Sequence, residues 1–317
     1  MSQVTENPFR YTDTNKRYHT YDYYLRREFS GKLAKITLDC GFTCPNIDGT
    51  RGHGGCIYCK SGSSSRPGEI GTDLEGQYRQ GVLAVSKKWS VIGYAPYLQA
   101  YTNTHTSPDK LRNLLDRVSR LEGAKMVSIA TRADCLENEK IEIINELSRK
   151  IPVTVELGLQ TASDKTAELI NRCHSYSELK DAFYRLRERA PSVKIAIHII
   201  NGLPTEGREE MLNTAHCVAN LHPDIVKIHL LHVICDTPLA DMYKRGEYTP
   251  LSREEYVEIV CDQLELLPPD IVIERVTGDG LRESLLAPLW SLKKVSVIND
   301  IDKELFRRNS YQGRKLE

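Results

Sequence analysis

The chain lacks net charge, a membrane-length apolar run and any low-complexity segment. Across its 317 residues Lys+Arg equals Asp+Glu at 43 each, so no global positive field advertises nucleic acid. Any nucleic-acid footprint must then be a local patch. The longest apolar runs are strand-sized, which excludes a membrane-spanning helix and sets the expectation of no membrane partner. The first residues, Met1-Ser-Gln-Val-Thr-Glu-Asn-Pro8, have no apolar signal core, and a cytoplasmic location is expected. Nine cysteines, an odd number with clustered members, suit reduced thiols and a metal centre better than a secreted disulfide framework. What remains is 40% hydrophobic and 27% charged residues, a globular composition with ample core. The length exceeds one ordinary domain and suits a single α/β barrel with extensions.

The chemistry concentrates in Cys40-Gly-Phe-Thr-Cys44-Pro-Asn-Ile-Asp-Gly-Thr-Arg-Gly-His-Gly-Gly-Cys56-Ile-Tyr-Cys59. A zinc site could use Cys44, His53, Cys56 and Cys59, or all four cysteines, since thiolate and imidazole both suit tetrahedral zinc. An iron–sulfur cluster could use three thiolates. Three features favour the cluster. Cys56 and Cys59 are spaced to reach adjacent corners of one centre, with Cys44 arriving from the far end of the loop. The loop glycines let backbone wrap closely around a bulky inorganic core. The loop also follows a first strand, Ala34–Asp39, and precedes a series of strand–helix units, as an active-site βα loop does.

That series is legible in order. Residues 73–90 show helical spacing, with Leu74, Tyr78, Val82 and Val85 on one face. Strands are expected at 95–101, 126–130, 153–159, 193–200 and 225–231. Helices are expected from Ser107, as cap before Pro108, to Leu121, at 139–150, through Arg189, at 209–221 and at 253–267. With the strand before Cys40 this makes six βα units, hence a parallel sheet with helices outside. Six are too few for a closed eight-fold barrel, so an open partial barrel over 33–268 is expected, carrying the cysteine loop at 40–59. Pro268-Pro269 closes the last unit, and 269–317, including Ile271-Val-Ile-Glu-Arg-Val276, is assigned to an accessory layer. Residues 1–32 form an N-terminal arm mixing tyrosines with basic residues. It suits either a platform for bases and phosphates, using Arg17, Arg26 and Arg27, or an arm packed on the barrel. Residues 61–68 read as a polar, flexible connection.

Cys44-Pro-Asn-Ile-Asp-Gly-Thr with Gly54-Gly-Cys56-Ile-Tyr-Cys59 resembles the radical S-adenosylmethionine (SAM) superfamily, in the branch of the Elongator catalytic subunit and its YtqA/YhcC subgroup. The common pattern places three residues between the first two cysteines; eleven separate Cys44 from Cys56 here, as in that branch. Cys40 and Cys44 have the common spacing, but the third cysteine would fall at Ile47. Cys40 therefore reads as a packing residue in line with Ile36 and Leu38. The resemblance implies a partial (β/α)6 radical SAM barrel with N- and C-terminal extensions. It also implies a 4Fe–4S cluster on Cys44, Cys56 and Cys59, and SAM as cofactor on the iron left open. Tail stretches such as Leu286-Ala-Pro-Leu-Trp290 extend the likeness over nearly the whole chain.

Function in such barrels sits at the C-terminal ends of strands. Tyr101, Thr102 and Asn103 fall where the family carries a glycine-rich SAM element, although the glycines are missing. Thr131-Arg132-Ala-Asp134 is similar to the branch's Thr-Arg-Pro-Asp. Glu156-Leu-Gly158-Leu-Gln160 matches its Glu-Leu-Gly-x-Gln, Asn171-Arg172-Cys-His174 its Asn-Arg-x-His, and His198-Ile-Ile-Asn-Gly202-Leu-Pro204 is also family-like. Cofactor contacts are accordingly expected from Tyr101, Asn103, Arg132, Glu156, Gln160, Arg172 and His198. Structural readings stand beside these: Glu156 as a buried partner of Arg132, Gln160 and Arg172 as loop braces, and His198, His229 and His232 as barrel-mouth hydrogen-bonders. Cys135, Cys173, Cys217, Cys235 and Cys261 read as small apolar fillers and His53 as a loop brace.

The subgroup is associated with tRNA wobble-uridine maturation, converting carboxymethylaminomethyl-(thio)uridine to aminomethyl-(thio)uridine. The resemblance thus implies tRNA as substrate, a reductase such as flavodoxin or ferredoxin, and a downstream tRNA methyltransferase. Two other classes stay open: a radical SAM enzyme acting on a small molecule or protein, and a non-catalytic zinc-stabilised binding protein.

Overall fold

The computed structural model describes residues 7–60, 73–278, 280 and 282–316. The connection expected at 61–68 lies outside them. Strand β1 (Leu33–Leu38) leads into the cysteine loop, and helix α2 (Leu74–Ser86) returns the chain to β2 (Gly93–Leu98). Then α3 (Pro108–Ser119), β3 (Val127–Thr131), α4 (Asn138–Ser148) and β4 (Val153–Gln160) alternate. Two helices, α5 (Asp164–Leu169) and α6 (Tyr176–Arg189), precede β5 (Lys194–Asn201), α7 (Arg208–Leu221) and β6 (Ile225–Leu230). The helix starts follow from their caps. Ser107 accepts from the Lys110 amide with Pro108 in the first turn, and Ser175/Glu178 and Ser252/Glu255 form reciprocal capping boxes.

Past β6 come a short strand β7 (Val233–Ile234), α8 (Pro238–Lys244) and α9 (Arg253–Leu266). Next are β8 (Val272–Arg275), β9 (Leu285–Ala287), antiparallel to β7, and α10 (Lys294–Arg307). The main sheet runs β1-β2-β3-β4-β5-β6-β8, every neighbour pair parallel. The mixed α/β, partial-barrel class is as expected. The tail departs from expectation, since Ile271–Val276 contributes a seventh sheet strand rather than an accessory layer. Only four residues of it are strand, and Pro268-Pro269 before it reads as a stop when in fact it is a corner.

Although β1 and β8 are opposite edges of the sheet, Lys35 Nζ of β1 reaches Glu274 Oε1 of β8 at 2.5 Å. The sheet therefore curls until its edges face one another. The outward faces of the strands pack on the helices in one contiguous core that includes Leu38, Ile129, Val155, Ile197, Ile228, Phe183 and Tyr256. Cys40 packs at its margin, as expected for a residue continuing the Ile36 and Leu38 face.

The N-terminal arm packs. Tyr18 is buried in the main core, and helix α1 (Tyr21–Phe29) lays Tyr21 and Tyr24 against smaller apolar clusters. Arg17 is buried, donating to Ser310 O, and Arg26 is held by Asp13 and Asp22. Arg17 and Arg26 are thus engaged within the protein, whereas Arg27 is exposed. The arm continues past β8 through a parallel bridge between Thr20 and Ile273.

One buried amide staples arm, edge strand and tail together. Gln312 donates to Pro268 O at 2.6 Å and Ile271 O at 2.8 Å, and accepts from the His19 amide at 2.9 Å. Removing it strands buried backbone groups. Gln312→Ala is expected to lower unfolding stability by about 1–3 kcal/mol in urea titration; an unchanged midpoint would show that the tail is not clamped this way.

Candidate active site

Because side chains alternate across a strand, every second residue points into the half-barrel. On β4 these are Thr154, Glu156, Gly158 and Gln160; on β5, Ala196 and His198; on β6, Lys227 and His229. At the strand ends they open into a cavity of about 670 Å³ whose walls include Cys44, Cys56, Cys59, Tyr101, Arg132, Glu156, Gln160, Arg172 and His198. Residues spread from position 44 to 198 thus share one space.

Asn103 is an exception among the expected site residues. It is fully buried and its amide donates to Leu98 O at 2.9 Å and Ala130 O at 3.0 Å. It fixes the β2 loop and does not line the cavity. The neighbouring Tyr101 does line it, with φ 57°. Gln160 is likewise held at φ 73°, a conformation that non-glycine residues adopt at some cost and that recurs at functional strand ends.

The cysteine loop is a braced object. Ile47 and Asp48 amides turn back onto Cys44 O at 2.8 and 3.1 Å, and the Gly55 amide donates to Asn46 O at 2.8 Å. Asn171 then clamps it from outside, donating to His53 O at 3.0 Å and Gly55 O at 2.8 Å. Asn46 Nδ2 lies 3.6 Å from Cys56 Sγ. A Cβ on Gly52 would fall 2.5 Å from Asn46 Oδ1 and 2.7 Å from Cys173 Sγ, so close approach demands glycine there. His53 packs its ring against Gly49 and is exposed, a loop brace away from the cavity.

Among the described residues no set of three or more His, Cys, Asp or Glu side chains forms a metal-holding group. The donor set nevertheless fits a cluster. Cys44, Cys56 and Cys59 all line this cavity, with Cys56 buried and Cys59 open to solvent. Three cysteines of one loop facing one space are a soft-sulfur donor set of the kind that holds iron–sulfur clusters.

Two guanidiniums stand beside the sulfurs. Arg132 is chelated by Asp134 at 2.9 and 2.7 Å and donates to Arg172 O at 2.9 Å. Against the upward push of burial, Arg132 holds Asp134 below the usual carboxylate range. Arg172 donates to Gly158 O at 2.6 Å, and its Nε is buried without a partner. A Cβ on Gly158 would sit 2.7 Å from the Gln160 amide and 2.9 Å from Arg172, so the glycine lets both side chains lie over β4.

Glu156 is paired, but not with Arg132. Its Oε1 accepts from Lys35 at 2.7 Å; its Oε2 accepts from Lys227 at 2.5 Å, Tyr97 OH at 2.8 Å and His198 Nε2 at 2.9 Å. Lys227 also meets Glu274 at 3.0 Å. Burial pushes this carboxyl up, yet Lys227 and Lys35 outweigh it and hold it well below its usual range. With both oxygens engaged, Glu156 organises the cavity floor. Lys35, Tyr97, Lys227 and Glu274 escaped the sequence reading. The available signal was a lysine interrupting each of two apolar strands, Leu33-Ala-Lys35-Ile and Ile225-Val-Lys227-Ile, at inward positions.

Of the remaining cysteines, Cys135 and Cys261 are buried fillers. Cys235 is not: its sulfur lies 3.5 Å from Lys60 Nζ.

Glu156→Gln would leave two buried cations facing one neutral amide. It is expected to destabilise the fold by about 3–5 kcal/mol, read by chemical denaturation at neutral pH. The pH dependence has a definite sign. A carboxyl held below its ordinary 4.5 stabilises fully above that pH and loses the contribution progressively as pH falls from there through the depressed folded value. The variant should therefore show a flatter stability profile below about pH 4.5 than the parent; parallel profiles would refute the pairing.

Comparison with known proteins follows the same outline. The sequence profile of the Radical SAM superfamily matches residues 47–218, and that of the Radical SAM C-terminal domain matches 223–307. YtqA of Bacillus subtilis is 43% identical over 98% of this chain and 96% of its own length. The tRNA uridine(34) acetyltransferase of Methanocaldococcus jannaschii is 26% identical over 80% of this chain, which spans 52% of that protein. The solved structure of archaeal Methanocaldococcus infernus Elp3 superposes with a TM-score of 0.63 at 17% identity, over 88% of this chain and 64% of that one, a likeness of fold. No helix among the described residues is long and apolar enough to cross a membrane.

Proposed function

The chain belongs to the radical SAM superfamily, and from that premise we propose that it modifies tRNA at the wobble uridine, converting carboxymethylaminomethyl-(thio)uridine to aminomethyl-(thio)uridine. The observation that carries the reading is the convergence of Cys44, Cys56 and Cys59 with Tyr101, Arg132, Gln160 and Arg172 on one cavity. Likeness over 80% of the chain to a tRNA uridine(34) acetyltransferase supports RNA as the substrate class.

In this reading the three thiolates hold a 4Fe–4S cluster. Cys44, Cys56 and Cys59 would be the ligands, and the bound cluster together with SAM would supply the one-electron chemistry by which hydrogen can be taken from an unreactive C–H bond. The residues of this chain do the rest. Arg132 and Arg172 set positive charge beside the sulfurs and offset the negative charge that three thiolates bring. Tyr101 and Gln160 are fixed by their backbone to project over the cavity, where they position SAM. The Glu156 network gives a rigid polar floor, so bound groups are oriented by fixed dipoles rather than by mobile water. Hydrogen would be taken from the C–H beside nitrogen in the carboxymethyl group, where the amine stabilises the resulting radical; loss of one further electron, returned to the cluster or its reductase, would give an iminium that water hydrolyses to the aminomethyl nucleoside and glyoxylate. A flavodoxin- or ferredoxin-type reductase would supply electrons, and a methyltransferase would act on the amine produced.

The test is incubation of anaerobically reconstituted protein with dithionite, SAM and tRNA bearing the carboxymethyl form. Expected are 5′-deoxyadenosine and the aminomethyl nucleoside together, both lost in Cys44→Ala, Cys56→Ala and Cys59→Ala and kept in Cys40→Ala. Deoxyadenosine without any change in the tRNA would overturn the substrate and leave a radical SAM enzyme of another substrate class.

A further inference from the structure

The cavity floor contains a polar atom that the Glu156 network leaves over. His198 and His229, on adjacent strands, face one another with ring centroids 5.2 Å apart and planes 34° apart. A carboxylate only accepts, so His198 Nε2 donates to Glu156 and is satisfied. His229 Nε2 is buried with no hydrogen-bond partner, in a ring that lines the cavity. Such a group costs stability unless something fills its bonding position. Lys227 offers no relief, since its ammonium is held by Glu156 and Glu274.

The surroundings indicate what would fill that position. Burial, then His198, Arg275 and Lys227, keep the His229 imidazole neutral, with only Glu156 opposing. A neutral ring among cations is poised to donate its proton-bearing nitrogen to an anion. We propose that His229 is a specificity-determining residue that hydrogen-bonds through Nε2 to the carboxylate of the substrate's modified side chain. This rests on the wobble-uridine reading above. In that reaction the carboxylate is the part removed, so a contact to it holds the substrate and lets the product go. Recognition of the uracil ring alone could not make that distinction.

Binding, without turnover, tests it. Dissociation constants are measured for anticodon stem-loops carrying carboxymethylaminomethyluridine or aminomethyluridine, with reconstituted protein and S-adenosylhomocysteine present. The parent is expected to favour the carboxylate-bearing RNA by about tenfold or more. His229→Phe, which keeps the ring, should bind both RNAs alike, and His229→Gln, which keeps a donor, should regain part of the preference. Iron content and circular dichroism matching the parent's establish that the variants fold. A parent that does not discriminate, or a His229→Phe variant that still does, overturns the proposal while leaving the tRNA reading in place. If neither RNA binds, both fall together.

Discussion

A carboxylate buried at the centre of the half-barrel is the constraint on which the site depends. Glu156 contributes from β4, and its partners come from β1, β2, β5 and β6, with Glu274 of β8 completing the charge balance. An isolated ion there would be prohibitive, so four strands must hold their donors in place at once. The same contacts bring the two sheet edges face to face. Such a network is weak evidence for stability compared with an apolar core, yet breaking one member is costly. Its consequence is registry: it fixes which inward residues meet the cavity, and at what height above the floor.

Above that floor the site is assembled from loop ends, tied to one another by side chains that donate to backbone carbonyls. The cysteine loop turns on Cys44 and is clamped by Asn171. Arg132 reaches back to Arg172 O and Arg172 to Gly158 O. The loops after β1, β3 and β4 are therefore linked by hydrogen bonds around the sulfurs. A bulky centre can be held there with little reorganisation, as preorganised sites require.

Much of this was legible in the sequence, for reasons that also mark its limits. The βα alternation shows because each strand is a short apolar run and each helix carries a cap and a 3.6-residue stripe. The cysteine spacing singles out the loop, and the residues named from the motifs around Arg132, Glu156 and Arg172 line the same cavity as its cysteines. Asn103 was misplaced because adjacent loop residues face opposite ways and no periodicity reveals which one points inward. The partner of Glu156 was misjudged because inward pairs across a curled sheet join residues from 42 to 121 positions apart, with no local pattern to mark them. Strand β8 was hidden by its shortness and by the prolines before it. The tyrosine-rich arm has the same composition whether it stacks on bases or packs, and the structure shows that Tyr18 and Arg17 pack while Arg27 stays exposed.

The central claim is that Cys44, Cys56 and Cys59 together hold a cluster with one iron open to SAM. Electron paramagnetic resonance of the dithionite-reduced, anaerobically purified protein, before and after SAM is added, tests it most directly. A reduced 4Fe–4S signal that changes on adding SAM, and is lost when any one of the three cysteines is replaced, is the expected result. Colourless protein that binds zinc instead, or a cluster signal indifferent to SAM, would contradict the account.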